Sequence, residues 1–421
     1  MLACTSTGRD VRVKNNHQGR WKQPNGQLAG LALALACVQT AHAVDAQYFE
    51  LGPVKVEPVV SVDAAWVDNV YRDAEDEQES WVIKTVPRID ARIENGPSQY
   101  AFRYELQDWY YTDSPEGEDD DFTGHLFRGD IDHRFNLKNR VELFGQHHKA
   151  HEERGTGLTE GGSLSRFTDT PVEYDEDRYG GTYFYGSGEG KGRLELGAEW
   201  QETDYTNYEI YTDGFDYEQV LYQGVFYWDV RPRTALVFDA SYLDVTYLEE
   251  RDRRASLDSD EIRLLMGVSW EASGKTRGEV KIGGYEREFE DPRRDKADGF
   301  AWDIKFNYRP KTYSSFDLTA RQLSHETNGF GDYIETQEYT FNWLRLFRRN
   351  WQSKLGVLFA NDDYSGIERE DQRLHIEWTL QKPVKRWLDL GVGWRFEDRE
   401  SDDDNFTYNR QSLFVTMKAS L

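Results

Sequence analysis

The sequence predicts an all-β protein, a transmembrane antiparallel β-barrel of about eighteen strands (16–18) set in an outer membrane. Three observations lead there: apolar and polar side chains alternate through segment after segment, short and long joins succeed one another strictly, and a single short apolar stretch lies near the start.

Composition sets the problem. The chain has 421 residues, with 77 acidic against 51 basic side chains and a net charge of −26. Its mean hydropathy is −0.82. These values describe a hydrophilic chain, yet 13 Trp, 25 Tyr and 22 Phe are far more aromatic surface than a solvated acidic chain needs. Disorder goes with few aromatics and little β-propensity, so it is excluded. A barrel resolves the conflict, because one face of each strand meets lipid and the other meets water. No shift in composition divides the chain into domains.

The apolar stretch runs from Leu28 to Val38, after Arg20 and Lys22, and is followed by Ala41-His42-Ala43. It is too short for a membrane helix and fits the core of a secretory signal peptide cleaved after Ala43. The expected organisation is therefore a signal peptide over 1–43, a short periplasmic segment over 44–55, and the barrel over 56–421. The segment before the apolar core is long, so a start downstream of Met1 is a second reading. Lipidation at Cys37 is a weaker alternative, since Ala34 stands where a Leu is usual. Cys4 and Cys37 are the only cysteines, and cleavage would leave a chain without thiols.

Alternation is clearest in six places. Leu194, Leu196, Ala198 and Trp200 oppose Arg193, Glu195, Gly197 and Glu199; Ile262, Leu264, Met266, Val268 and Trp270 share one face. Phe300, Trp302, Ile304, Phe306 and Tyr308 oppose Asp303, Lys305 and Asn307. Leu374, Ile376, Trp378 and Leu380 oppose His375, Glu377 and Thr379. Leu388 to Phe396 and Leu413 to Leu421 repeat the pattern. This is the β period.

A soluble sandwich also alternates, so the joins decide. Short joins are expected at Glu94 to Pro97, Asn136 to Asn139, Gly186 to Gly192, Arg231 to Arg233, Ser273 to Lys275, Arg309 to Lys311, Arg348 to Asn350 and Lys382 to Lys385. Between them fall longer acidic joins, the longest from Glu152 to Asp177. Short periplasmic turns and long extracellular loops are the barrel pattern, and nine such hairpins give the strand count. A lumen that wide holds water or a plug, and the Glu152 to Asp177 loop could fold inward or remain a surface loop.

Strand parity assigns a candidate lumen lining rich in paired charge. It comprises Arg103, Glu105, Arg193, Glu195, Glu199, Arg263, Glu279, Lys281, Asp303, Lys305, Asp317, Arg321, His375, Glu377, Asp389, Arg395 and Lys418. Arg103 with Glu105, Arg193 with Glu195, Glu279 with Lys281, Asp303 with Lys305, Asp317 with Arg321, and Asp389 with Arg395 carry opposite signs. Such charges pair across a ladder and brace the wall, and a lumen of both signs suits a bulky hydroxylated solute. Trp200, Trp228, Trp302, Trp343, Trp378 and Trp394 read as an aromatic girdle at the membrane interfaces rather than as sugar platforms.

No cofactor, metal or catalytic site is expected. Adjacent His147 and His148 point to opposite faces of a strand, so with His151 they do not make one ligand set. The acidic runs Glu118 to Asp121 and Asp402 to Asp404 lack the spacing of a calcium loop. No Gly-x-Ser-x-Gly elbow occurs, and the acidic balance argues against nucleic acid.

The first hairpin adds a resemblance. Val56-Glu57-Pro58-Val59-Val60, then Trp66-Val67-Asp68-Asn69-Val70-Tyr71, and then Val86-Pro87-Arg88-Ile89-Asp90 are similar to the opening strands of the putative beta-barrel porin 2 family. The chain departs from the usual barrel-assembly signal in ending on Leu421 rather than an aromatic residue. The resemblance implies a porin-like outer-membrane protein of a Gram-negative cell, associated with capsule or exopolysaccharide export. It implies as partners outer-membrane lipids and lipopolysaccharide, a polysaccharide substrate, and periplasmic polysaccharide-export proteins. The basic short turns (Arg231, Arg233, Arg348, Arg349, Lys382, Lys385, Arg386) would meet either those proteins or anionic headgroups. A general diffusion porin or oligosaccharide uptake channel, and a structural or adhesive barrel, are the alternatives.

Overall fold

The computed structural model describes residues 48–114, 118–162, 167–186, 190–249 and 255–420. The expected signal peptide, with Cys4, Cys37 and the cleavage site, lies outside the described residues, as does Leu421.

A short strand β1 (Phe49–Leu51) turns back into β2 (Val54–Val67), two residues ahead of the expected start of the barrel. Then come β3 (Ser80–Asn95), β4 (Ser98–Tyr111), β5 (Phe122–Arg134), β6 (Asn139–Glu152), β7 (Val172–Tyr185) and β8 (Gly192–Tyr205). The middle of the chain forms β9 (Tyr217–Arg231), β10 (Thr234–Tyr247), β11 (Ser259–Ser273), β12 (Thr276–Phe289), β13 (Ala297–Lys311) and β14 (Ser314–Glu326). The last five are β15 (Tyr333–Leu346), β16 (Gln352–Tyr364), β17 (Glu370–Lys385), β18 (Leu388–Ser401) and β19 (Tyr408–Ser420). Each strand from β2 onward pairs antiparallel with the next, and β19 returns to β2 from Ser412 opposite Val67 to Ser420 opposite Val59. Strands β2 to β19 thus close an eighteen-stranded barrel.

Closure explains why these residues form strands at all. In hydrocarbon a backbone amide finds no water, so a sheet can span only if its last edge meets its first. The two faces separate accordingly. On β11, Ile262, Leu264 and Met266 are 48%, 60% and 62% exposed, whereas Glu261 and Leu265, pointing the other way, are 6% and 7% exposed. The exposed apolar face is the outside.

Eight turns of two to six residues alternate with nine loops of five to nineteen residues around the barrel, and the start of β2 and the end of β19 lie on the side of the turns. Two turns lie further along than the sequence placed them. The β13–β14 turn is at Thr312 and Tyr313, and the β17–β18 turn is at Arg386 and Trp387. Pro310 and Pro383 read as turn residues, but each sits near the end of a strand, where the ladder shifts register. A bulge tolerates the missing N–H of proline, so the strand continues past it. The long loop also begins and ends differently: strands reach Glu152 and resume at Val172, leaving residues 153–171.

The outward run on β11 is centred on Met266. Replacing Met266 with Arg should cost about 2–4 kcal/mol of folding free energy, as for a charge on the lipid face near mid-bilayer, while Ser269→Arg on the inner face should cost far less. Urea unfolding in lipid vesicles measures both.

Candidate functional site

The inner wall is recognised by ion pairs that reach past a neighbouring strand, which only a concave surface allows. Lys281 on β12 binds Asp239 on β10 at 2.6 Å, together with Asp303 on β13 at 3.0 Å and Glu279 at 3.8 Å. All four face one interior.

The structure places the predicted lining residues on this wall, but several choose other partners. Arg103 binds Asp90 at 2.7 Å and lies 3.7 Å from Glu105, and Lys305 binds Asp303 at 3.2 Å. Arg193 takes Asp229 on β9 at 3.3 Å rather than Glu195, and Glu199 takes Arg178 on β7. Arg263 holds Glu261 at 3.0 Å. Arg321 pairs with Glu338 on β15 at 2.5 Å instead of Asp317, which accepts from Asn307. Arg395 pairs with Glu377 on β17 at 2.7 Å instead of Asp389, which stands opposite Lys418 in the ladder. His375 is buried opposite Glu397. For three of the arginines the partner stands directly across the ladder, Asp90 from Arg103, Glu338 from Arg321 and Glu377 from Arg395, nearer than a residue two along the same strand, whereas Asp229 is reached on the diagonal. The six named tryptophans all lie on outward parity, so none is a lumen platform.

At the long-loop end the β6–β7 loop reaches across the lumen to loops on the far side. In the long loop, a short helical stretch (Gly157–Gly162) kinks at Glu160, which is 2% exposed. Its carboxylate receives Arg369 at 3.2 Å, Arg399 at 3.0 Å and the side-chain amide of Asn328 at 2.8 Å. Asp371, fully buried, shares the same two arginines at 2.6 and 2.8 Å. The Arg369 guanidinium lies between two rings, 3.5 Å from the centre of Phe406 and 4.0 Å from that of Tyr364. Gly161 has φ +61°, and a Cβ there would run into the Phe406 ring, so glycine permits the loop's close approach.

A second cluster anchors the start of the loop. Glu153 binds Arg72 at 2.7 Å and Arg410 at 3.3 Å, and Glu397 lies 3.5 and 3.4 Å from the same arginines. Arg154 binds Asp120 at 2.5 Å and Glu118 at 2.8 Å. Those acidic loop residues therefore neutralise an arginine. Among the described residues no group of three His, Cys, Asp or Glu is arranged to hold a metal ion.

The sequence left open whether the Glu152 to Asp177 loop folds inward, and it named none of the residues that hold the loop across the mouth. Glu397 and Arg399 were within reach, since they continue the inward parity of Asp389 and Arg395 along β18. Glu160 and Arg369 lie on loops, where no period signals direction.

A wide closed barrel, charged inside and apolar outside, is the setting in which likeness to known proteins can be read. The sequence matches the putative beta-barrel porin 2 family over residues 43–421. The chain belongs to this family. That membership and the barrel place this porin-family protein in the outer membrane. No curated protein matches it. Among solved structures it is similar to OpdL of Pseudomonas aeruginosa, at 10% identity and a TM-score of 0.45, covering 88% of this chain and 99% of that one. The siderophore receptor PirA of Acinetobacter baumannii gives 6% identity and a TM-score of 0.45, over 87% of this chain and 80% of that one. A bacterial polysaccharide outer membrane secretin gives 8% and 0.37, over 86% and 97%.

Two outcomes test the mouth. Burial pushes the Glu153 carboxyl up, but Arg72 and Arg410 outweigh it and hold it well below the usual carboxylate range. Its contribution is therefore present above the ordinary carboxylate pKa and is lost only as pH falls through the depressed value. Burial pushes Asp216, beside the β8–β9 loop, up to about 6, against the lowering effect of the Tyr205 N–H. Its contribution runs the other way, being greatest in acid and lost as pH rises through 6. Neither group loosens the mouth between neutral pH and pH 5, so planar-bilayer conductance should not rise over that interval. Glu160→Gln should raise conductance at any pH, because removing one partner of a buried ion pair costs about 3–5 kcal/mol.

Proposed function

We propose that this protein is a non-enzymatic outer-membrane channel that assists the export of an exopolysaccharide or capsule polymer. The observation that carries the reading is a lumen walled by alternating charges beneath a mouth crossed and narrowed by its own longest loop. A charged, wet wall offers hydrogen-bond partners to a hydroxylated chain without one strong site to trap it. A narrowed mouth fits a conduit opened when polymer arrives better than a pore that stands open for diffusion.

The polymer would slide from one ion pair to the next, exchanging water for guanidinium and carboxylate partners at each step. Periplasmic export proteins would deliver it at the tight-turn rim. That rim carries Arg231, Arg233, Arg348, Arg349, Lys385 and Arg386 at or beside its turns, with Lys382 near Trp351. Anionic lipid and lipopolysaccharide would meet the outer surface.

A second reading, a structural or adhesive barrel, draws on the way residues 153–162 cross the mouth. General diffusion or oligosaccharide uptake draws on the polar lumen alone. A gene deletion separates the readings: export predicts that polymer disappears from the cell surface, collects inside, and returns to the surface with the wild-type gene. Unchanged surface polymer defeats export; single-channel conductance then distinguishes a diffusion pore from a filled, structural barrel. Reversing Arg231, Arg233, Arg348 and Arg349 to Glu should abolish binding to periplasmic export components while leaving a heat-modifiable, folded barrel, and undiminished binding would remove the docking role.

A further inference from the structure

The barrel wall is not continuous over its full height. Strands β13 and β14 pair from Tyr308 opposite Phe316 up to Asp303 opposite Arg321, and there the ladder stops. Yet β13 runs on to Ala297 and β14 to Glu326. On the other side β14 stays paired with β15 as far as Glu326, and β15 with β16 as far as Ile334. The sheet edge at β14 has therefore parted from β13 without fraying.

That edge lies inside the wall formed by β10 to β12. Arg263 on β11 donates to the Gln322 carbonyl at 2.7 Å, a contact to β14 from a strand two positions beyond the break. Arg287 on β12 donates to both Glu326 oxygens at 2.8 and 2.9 Å, and Tyr247 on β10 donates to Glu326 at 3.0 Å. Tyr285 on β12 donates to Glu335 on β15 at 2.5 Å. Arg287 is fully buried and Gln322 is 1% exposed. The outward parity of the two strands explains the tuck. Below the break it carries Phe316, Leu318, Ala320, Tyr339 and Phe341; above it, Gln322, Ser324, Glu326, Glu335 and Gln337, with Tyr333 at the very end. Among them Glu326 finds an ionic partner in Arg287, and Glu335 a hydrogen bond from Tyr285, on the lumen wall.

The other bank is left open. Arg309 directs its N–H to Lys275, in the turn just before β12, and the β12–β13 ladder is regular above it, so even-numbered residues of β13 direct their backbone groups toward β14. Those of Trp302, Phe300 and Asp298 have no strand opposite. Phe300 is 59% exposed on the outer face, and a backbone group left without a partner favours any movement that supplies one. The existing register, extended upward, supplies partners: Trp302 with Gln322, Phe300 with Ser324, Asp298 with Glu326.

We propose that this seam is the gate of the channel. Overlapped, as here, the edge of β14 lies within the mouth and narrows it. Zipped onto β13 along the extended register, the same residues complete the wall and vacate the lumen. The two states exchange one set of partners for another: Arg263, Arg287, Tyr247 and Tyr285 hold the overlap, and backbone groups of β13 hold the zip. The gating role rests on the channel reading, whereas the movement itself does not.

A disulfide tests the movement. Phe300→Cys with Ser324→Cys, in a chain with Cys4 and Cys37 changed to Ser, places one thiol on the outer face and the other beneath the wall. Zipping brings them opposite one another, at the Cα separation a disulfide requires. Oxidation of folded barrels in outer membranes should form the bond, read by mass after digestion, and should give a conductance step that reduction reverses. Glu326→Gln, which weakens the overlap, should raise both cross-link yield and resting conductance. Folded, heat-modifiable barrels that form no bond in either background overturn the seam. A bond that forms with unchanged conductance, in a barrel that Glu160→Gln renders conducting, overturns its role as a gate. A barrel that cross-links but conducts in no variant defeats the channel reading while the movement stands.

Discussion

The need to pair every backbone amide without help from water governs this molecule. It makes β19 find β2, forces each strand to present one face to lipid, and thereby leaves a second face with no lipid to meet. The polar inner wall is a consequence of closure before it is a device for transport. Once eighteen strands have closed, their perimeter is too great for side chains from opposite walls to meet, and charge can line the interior only if each sign finds its complement nearby. Arg395 with Glu377, Arg321 with Glu338, and Lys281 among Asp239, Asp303 and Glu279 are that complement.

The same requirement explains where the structure becomes irregular. Pro310 and Pro383 remain in strands because they fall near strand ends, where the ladder shifts register. The seam above Asp303 lies where β14 and β15 exchange apolar outward side chains for polar ones. In both places a local feature of sequence outweighs the regular ladder.

Much of the barrel was legible before any coordinates, because period-two alternation and the succession of short and long joins are carried by the whole chain rather than by a motif. Parity also sorted inward from outward residues, as on β11 and β18. Partner choice was not legible: Arg193 looked suited to Glu195 but reaches Asp229, since register between strands is fixed by closure and not by either strand alone. The mouth was least legible. Glu160 and Arg369 meet through a loop and a hairpin far apart in sequence, and nothing local marks either residue. The exception is the turn chemistry of Gly161, which allows the approach without announcing its target.

Glu160 joins more than the long loop. Through Arg369 it holds the β16–β17 hairpin, through Arg399 the top of β18, and through Asn328 the β14–β15 loop, while Phe406 from the β18–β19 loop caps the Arg369 guanidinium. Glu160 and Asp371 set two carboxylates against the two guanidinium groups of Arg369 and Arg399. Withdrawing the long loop would strand one positive charge in a buried site, so the loop, the hairpin and β18 share a neutrality that no single contact supplies.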